Sequence, residues 1–226
     1  MEEVIRVEHI SKQFQNTTVL EDVSLVCERG KIYGIVGYNG SGKSVLFKCI
    51  CGFYPVDAGK IMVRGKQIGK DCSMIENTGV IIEEPSFLKQ FSGMRNLELL
   101  WLLNHKKDTE YLRQIMRKVG LEPMNKKPVG KYSLGMKQRL AIAQAVMENQ
   151  DILILDEPMN GLDKEGVAQM RTLFLQLKEE GKTLLFASHN REDIEVLCDE
   201  VFEMDKGKLT SYVTTDIIEA AGKRER

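Results

Sequence analysis

The chain has 226 residues, 42% of them hydrophobic, with 32 Lys and Arg against 33 Asp and Glu and a formal net charge of −1. That length buries a sizeable core and fits one domain with an insertion, while the near balance of charge leaves no electrostatic footprint for nucleic acid. The longest notable apolar run, Leu99 to Leu103, falls far short of the ~20 residues needed to cross a bilayer, and the acidic N-terminus lacks a signal-type apolar region, so a soluble polypeptide is expected.

In chain order, Val4 to Val26 and Gly59 to Gln67 carry β-type patterns and suggest an antiparallel sheet beside a central core. Lys31 to Val36 reads as a short buried strand, and Lys43 to Cys51 as a helix closed by Gly52. Between them, Gly37-Tyr38-Asn39-Gly40-Ser41-Gly42-Lys43-Ser44 fits G-x-x-x-x-G-K-[ST], the phosphate-binding loop. Glycines let such a loop curl so that its N–H groups, on through Val45, point at phosphate oxygens. The helix terminus adds about half a positive charge there. In this pattern Lys43 neutralises the β- and γ-phosphates and the Ser44 hydroxyl ligates Mg2+.

From about Ser86 to Gln150 the pattern turns helical, with Asn96 to Leu103 and Asp108 to Val119 as two helices. Leu97, Leu100, Trp101 and Asn104 recur at helical spacing and read as a core stripe. Ser133 is a good N-cap for a third helix running to Met147, and Gly135 leaves room for a phosphate at its first turn. Ile152-Leu153-Ile154-Leu155 then suits a strand buried on both faces, ending in Asp156-Glu157-Pro158. Carboxylates at that edge of a parallel sheet sit where ligands bind. Asp156 is the expected Mg2+ ligand and Glu157 the base that polarises the attacking water. A further strand follows at residues 182–188. The five cysteines are odd in number and lack zinc-type spacing, as expected of reduced structural thiols. Gly222 to Arg226 reads as a frayed end.

The phosphate loop, the Ser-x-Gly helix start, the strand ending Asp-Glu-Pro, then Asn160-Gly161-Leu162-Asp163, and His189 after Leu184-Leu-Phe-Ala-Ser, resemble in order and spacing the ATP-binding subunit of ABC transporters. The match runs from about residue 4 to 210. It implies an α/β phosphate-loop NTPase fold with a mainly parallel sheet, an N-terminal antiparallel β subdomain and a helical subdomain inserted at about 86–150, all within a single domain over 1–226. It also implies an ATPase that uses ATP and Mg2+. Ser133, Gly135 and Met136 then belong to the family signature that engages ATP held by a second copy's phosphate loop, in an ATP-dependent head-to-tail dimer. Asp163 lies in the loop linking the two sites, His189 contacts the γ-phosphate, and Phe14 stacks on adenine. The family's partner is an integral-membrane permease at the cytoplasmic face of the cell membrane, and its docking groove is expected beside Phe87, Leu88 and Phe91.

Two segments depart from the family pattern. The usual Leu-Ser-Gly-Gly-Gln signature is Tyr132-Ser133-Leu134-Gly135-Met136, and the usual Gln after Gly79-Val-Ile-Ile is Glu83-Glu84-Pro85. A carboxylate accepts bonds from metal-bound water but cannot donate as an amide does, which makes Glu83 a further metal candidate. Both departures resemble the subgroup of bacitracin-resistance and lantibiotic-immunity exporters. The expected function is therefore ATP hydrolysis powering a separate permease that exports peptide antibiotic or drug-like compounds. The alternatives are an ABC-type ATPase of DNA repair or translation, which would need a coiled-coil insertion or second cassette, and a regulatory ATP-binding module, against which Glu157 stands.

Overall fold

The computed structural model describes residues 2–83 and 86–212; Glu84 and the C-terminal tail lie outside them. Two sheets organise the chain. β1 (Glu3–Phe14), β2 (Thr17–Glu28), β4 (Ala58–Val63) and β5 (Lys66–Gln67) form an antiparallel sheet in the order β2-β1-β4-β5. The second sheet has the order β10-β9-β3-β8-β7-β6. It joins β3 (Ile32–Val36), β6 (Thr78–Ile81), β7 (Ile152–Asp156), β8 (Thr183–Ala187) and β9 (Glu200–Asp205), all parallel, to an antiparallel edge strand β10 (Lys208–Tyr212).

The apolar runs of β7 and β8 follow from burial on both faces, because neither side of a central parallel strand meets water. Successive residues point to opposite sides, so the two faces feed different cores. Leu153, Leu155, Leu184 and Phe186 enter a core made with the helices, through Leu97, Met116, Leu140 and Phe174. Ile152, Ile154 and Leu185 enter a second core, closed by the antiparallel sheet and by Leu46, Phe47 and Ile50. Cys27, Cys49 and Cys51 are packed in this second core. All five cysteines are free thiols, and burial raises those of Cys49 and Cys51 to about 11 and about 12.

Six α-helices complete the described chain: α1 (Lys43–Ile50), α2 (Gly93–Trp101), α3 (Thr109–Lys118), α4 (Leu134–Val146), α5 (Lys164–Glu179) and α6 (Arg191–Leu197). Ser92, Asp108, Ser133, Asp163 and Asn190 cap the last five through their side chains, whereas α1 has no side-chain cap.

Sequence expectation and structure part at α2. It starts at Gly93 rather than Asn96 because the Ser92 hydroxyl accepts from Arg95 N and caps it there. Asn96 is then a buried side chain inside the helix. Its Oδ1 accepts from Leu88 N at 2.8 Å and its Nδ2 donates to the Leu88 and Ser92 carbonyls, tying down the preceding loop. The helix stops at Trp101, so Asn104 leaves the stripe and donates from the surface to Glu148.

Candidate functional site

The C-terminal ends of β3 and β7 open toward the same side of the sheet with β8 between them, and the chain's chemistry gathers there. After β3 the loop turns sharply at Gly37, where a Cβ would lie 2.3 Å from the Met204 carbonyl oxygen, so any side chain collides with backbone. Gly42 occupies the N-cap of α1 at φ +116, a conformation natural to glycine. Inside the loop the Lys43 ammonium, on a buried residue, donates to the carbonyls of Gly37 at 2.6 Å and Tyr38 at 3.1 Å. The Ser41 hydroxyl is buried without a partner.

From β7 come the two carboxylates. The Ser44 hydroxyl donates to Asp156 Oδ2, joining the start of α1 to the end of β7. Glu157 has a left-handed backbone, φ +49, and its N–H donates to the Ala187 carbonyl at 3.0 Å. Its Oε2 lies 2.8 Å from His189 Nδ1, while its Oε1 is buried with no partner. Burial pushes both carboxyls above their ordinary values; for Asp156 the Ser44 hydrogen bond, and for Glu157 the His189 charge, pulls partly the other way.

These groups surround a cavity of about 620 Å³, within the usual range for a small-molecule site. Of the residues singled out from sequence, Asn39, Gly40, Ser41, Gly42, Lys43, Ser44, Val45, Glu83, Asp156 and Glu157 line it. Gly37 and Tyr38 reach it through Lys43, and His189 through Glu157. The cavity can take an anion at the uncapped start of α1, where the first N–H groups have no helical partner. The unpartnered Ser41 and Glu157 oxygens are further polar groups in want of a ligand. The all-oxygen pair of Ser44 and Asp156 suits Mg2+.

A family model described as ABC transporter matches residues 20–160. The chain belongs to the ABC transporter ATP-binding family. It is 44% identical over 91% of its length to the uncharacterized ABC transporter ATP-binding protein YybJ of Bacillus subtilis (strain 168), covering 94% of that protein. It is 37% identical over 94% of its length to the bacitracin transport ATP-binding protein BcrA of Enterococcus faecalis, covering 70% of it. Among solved structures, an ATP-binding subunit of an ABC transporter superposes with a TM-score of 0.84 at 26% identity, covering 97% of this chain and 93% of that one.

Besides Gly37, Tyr38 and His189, five expected residues of this ABC cassette, Phe14, Ser133, Gly135, Met136 and Asp163, stand outside the cavity lining. Ser133 caps α4, accepting from Met136 N at 3.2 Å, and Asp163 caps α5, accepting from Gly166 N at 2.9 Å. Gly135 packs so closely that a Cβ would meet the Gly161 carbonyl oxygen at 3.0 Å. Phe14 meets the Tyr54 ring edge-on at 5.2 Å between centroids. The tyrosine that opens the altered signature has a packing reason: Tyr132 is buried and its hydroxyl accepts from Gly93 N at 3.2 Å, where a Cβ on residue 93 would stand 2.8 Å from that oxygen.

Two lining residues, Val19 and Gln138, have no role in the sequence reading, while Leu134 and Asn160, which also line the cavity, stand in the signature and in the Asn160-Gly161-Leu162-Asp163 segment. Leu134 and Gln138 are one turn apart on α4 and share a face, a signal that was present. Gln138 Nε2 donates to the Glu157 carbonyl at 3.4 Å, bringing the first turns of α4 to the carboxylate loop. Val19 comes from the antiparallel sheet, which no local pattern connects to the site.

Proposed function

We propose that this protein binds and hydrolyses ATP with Mg2+ and drives a separate integral-membrane permease from the cytoplasmic face, exporting peptide antibiotic or drug-like compounds. The observation that carries the catalytic part is the convergence of Lys43, Ser44, Asp156 and Glu157 on one cavity at the open end of α1. The whole chain acts as one ATPase domain, with residues 86–150 as its helical insertion.

In this reading the α1 N–H groups and the Lys43 ammonium take the β- and γ-phosphates, the lysine exchanging the Gly37 and Tyr38 carbonyls for phosphate oxygens. Ser44 and Asp156 hold Mg2+, which when bound neutralises phosphate charge. Glu157 presents its unpartnered Oε1 to the attacking water, and burial makes that carboxylate a better proton acceptor. His189, whose Nδ1 meets the other oxygen of Glu157, contacts the γ-phosphate. Phe14 receives the adenine. A second copy supplies Ser133, Gly135 and Met136 to the nucleotide, with Asp163 beside that interface. Exposed Leu88 and Phe91 mark the permease face. Export of antibiotic-like compounds rests on the relative named for bacitracin transport.

Phosphate release by the parent and by Glu157→Gln tests this reading. The parent should turn over ATP, and the variant should retain nucleotide and lose at least 100-fold in rate. Near-parental turnover by Glu157→Gln removes the general-base assignment.

A further inference from the structure

On the face of α1 behind the phosphate loop, Lys48 lies one turn beyond Ser44. Its ammonium forms an ion pair with the Glu83 carboxylate and stands 5.3 Å from the centroid of the Tyr54 ring. The lysine side chain is only 17% exposed and the glutamate 67%. The fixed partner is thus the cation, carried by the same helix as Lys43 and Ser44, and the arm it restrains is the carboxylate. Glu83 also has φ +62, a left-handed backbone that a residue with a Cβ keeps only when its surroundings hold it there.

Glu83 lines the cavity together with Asp156 and Glu157. Three carboxylates around a cavity that accepts a polyanion are in electrostatic conflict unless one is neutralised. We propose that Lys48 is a positioning residue of the nucleotide site, holding the Glu83 carboxylate at the cavity rim and cancelling its charge, so that a third acid there is compatible with a bound triphosphate. This inference rests on the ATP-binding reading given above. At Asp156 burial raises the carboxyl most and the Ser44 hydrogen bond and Lys43 lower it; the smaller influences of Glu83, upward, and Lys48, downward, oppose each other. An ordinary exposed ion pair contributes little, but here the acidic partner lines the same cavity as the phosphate loop while the lysine stands behind it on α1. Tyr54 extends the arrangement, since the ring that faces Lys48 also meets Phe14 edge-on.

Equilibrium titration of the full chain with trinitrophenyl-ATP in the presence of Mg2+ tests this, read as fluorescence and requiring no turnover. Lys48→Met should weaken binding about 10-fold in the parent, yet less than about twofold in the Glu83→Gln background, where no carboxylate remains to be held. Lys48→Arg, which keeps the charge, should stay within about threefold of the parent. Equal factors in the two backgrounds, no effect of Lys48→Met, or a loss in Lys48→Arg as large as in Lys48→Met would overturn the proposal. So would a double variant that circular dichroism shows to be unfolded. A parent that takes up no nucleotide overturns the ATP-binding reading and this inference with it, whereas a parent that binds while the two factors agree overturns the inference alone.

Discussion

The starts of α1 and α4 meet the same requirement in opposite ways. Each helix must satisfy the N–H groups of its first turn. At α4 the chain does so itself, with the Ser133 hydroxyl accepting from Met136 N. At α1 it does not: Gly42 offers no side chain and the neighbouring Ser41 hydroxyl is buried without a partner. Of the six α-helices among the described residues, five are closed by side-chain caps and one is left open, at the mouth of the cavity. A helix terminus that forgoes stabilisation is where a ligand is expected. At the capped terminus the Ser133 oxygen accepts from Met136 N and its O–H proton stays free to donate to a phosphate oxygen, so its role in the fold and its proposed role at the nucleotide are compatible.

The largest effect that separates the two termini lies in their glycines. Gly37→Ala drives a Cβ to 2.3 Å from the Met204 carbonyl oxygen and should cost about 3 kcal/mol in urea-unfolding experiments. Gly135→Ala, at 3.0 Å from the Gly161 carbonyl oxygen inside a helix, should cost less than ~1 kcal/mol, because alanine's helix propensity offsets part of the crowding. Equal costs would break the distinction.

Next come the two serines. Ser133→Ala loses a cap and should lower stability by ~1 kcal/mol. Ser41→Ala, which removes a buried hydroxyl with no partner, should be neutral or stabilising in nucleotide-free protein. Melting temperatures of both variants without ligand decide this, and a destabilised Ser41→Ala would mean that its hydroxyl is already satisfied.

The smallest effect is one of pH. Glu157 is raised above its ordinary 4.5 mainly by burial, so the folded state holds that proton more tightly than the unfolded chain. Its favourable contribution is complete below pH 4.5 and is lost as pH rises through the raised value. Nucleotide-free Glu157→Gln escapes this loss. Its stability relative to the parent should grow with pH above 4.5, by ~1 kcal/mol at most. Urea midpoints from pH 4 to 7 measure it, and a pH-independent difference would show that burial does not destabilise the anion.

What could be read in the sequence was what is local. The phosphate loop and its helix, the doubly buried Ile152–Leu155 run and the Ser133-capped helix each occupy one short segment whose pattern has a single physical solution. The antiparallel sheet was legible as paired β patterns. β9 and β10 went unassigned because charged Glu200, Glu203 and Asp205 alternate with Val201 and Met204 at the margin of the sheet. The Ser92 cap was overlooked because Ser92-Gly93 looks like a turn. Glu83 was recognised as a departure, but its partner Lys48 lies 35 residues away and no periodicity links the two. Phe14 stands alone as an aromatic in its stretch of sequence, and its contact with Tyr54 is visible only in the fold.

The bond between the Ser44 hydroxyl and Asp156 joins residues 112 apart in the chain, one at the start of α1 and the other at the end of β7. No fragment that ends before β7 contains both halves of the site, so during synthesis ligand competence arrives late and all at once. In the proposed reading, bound nucleotide would contact groups from both α1 and the end of β7 and so stabilise the folded chain. At a free concentration 100 times the dissociation constant, that linkage adds about 2.7 kcal/mol to the stability of the entire chain.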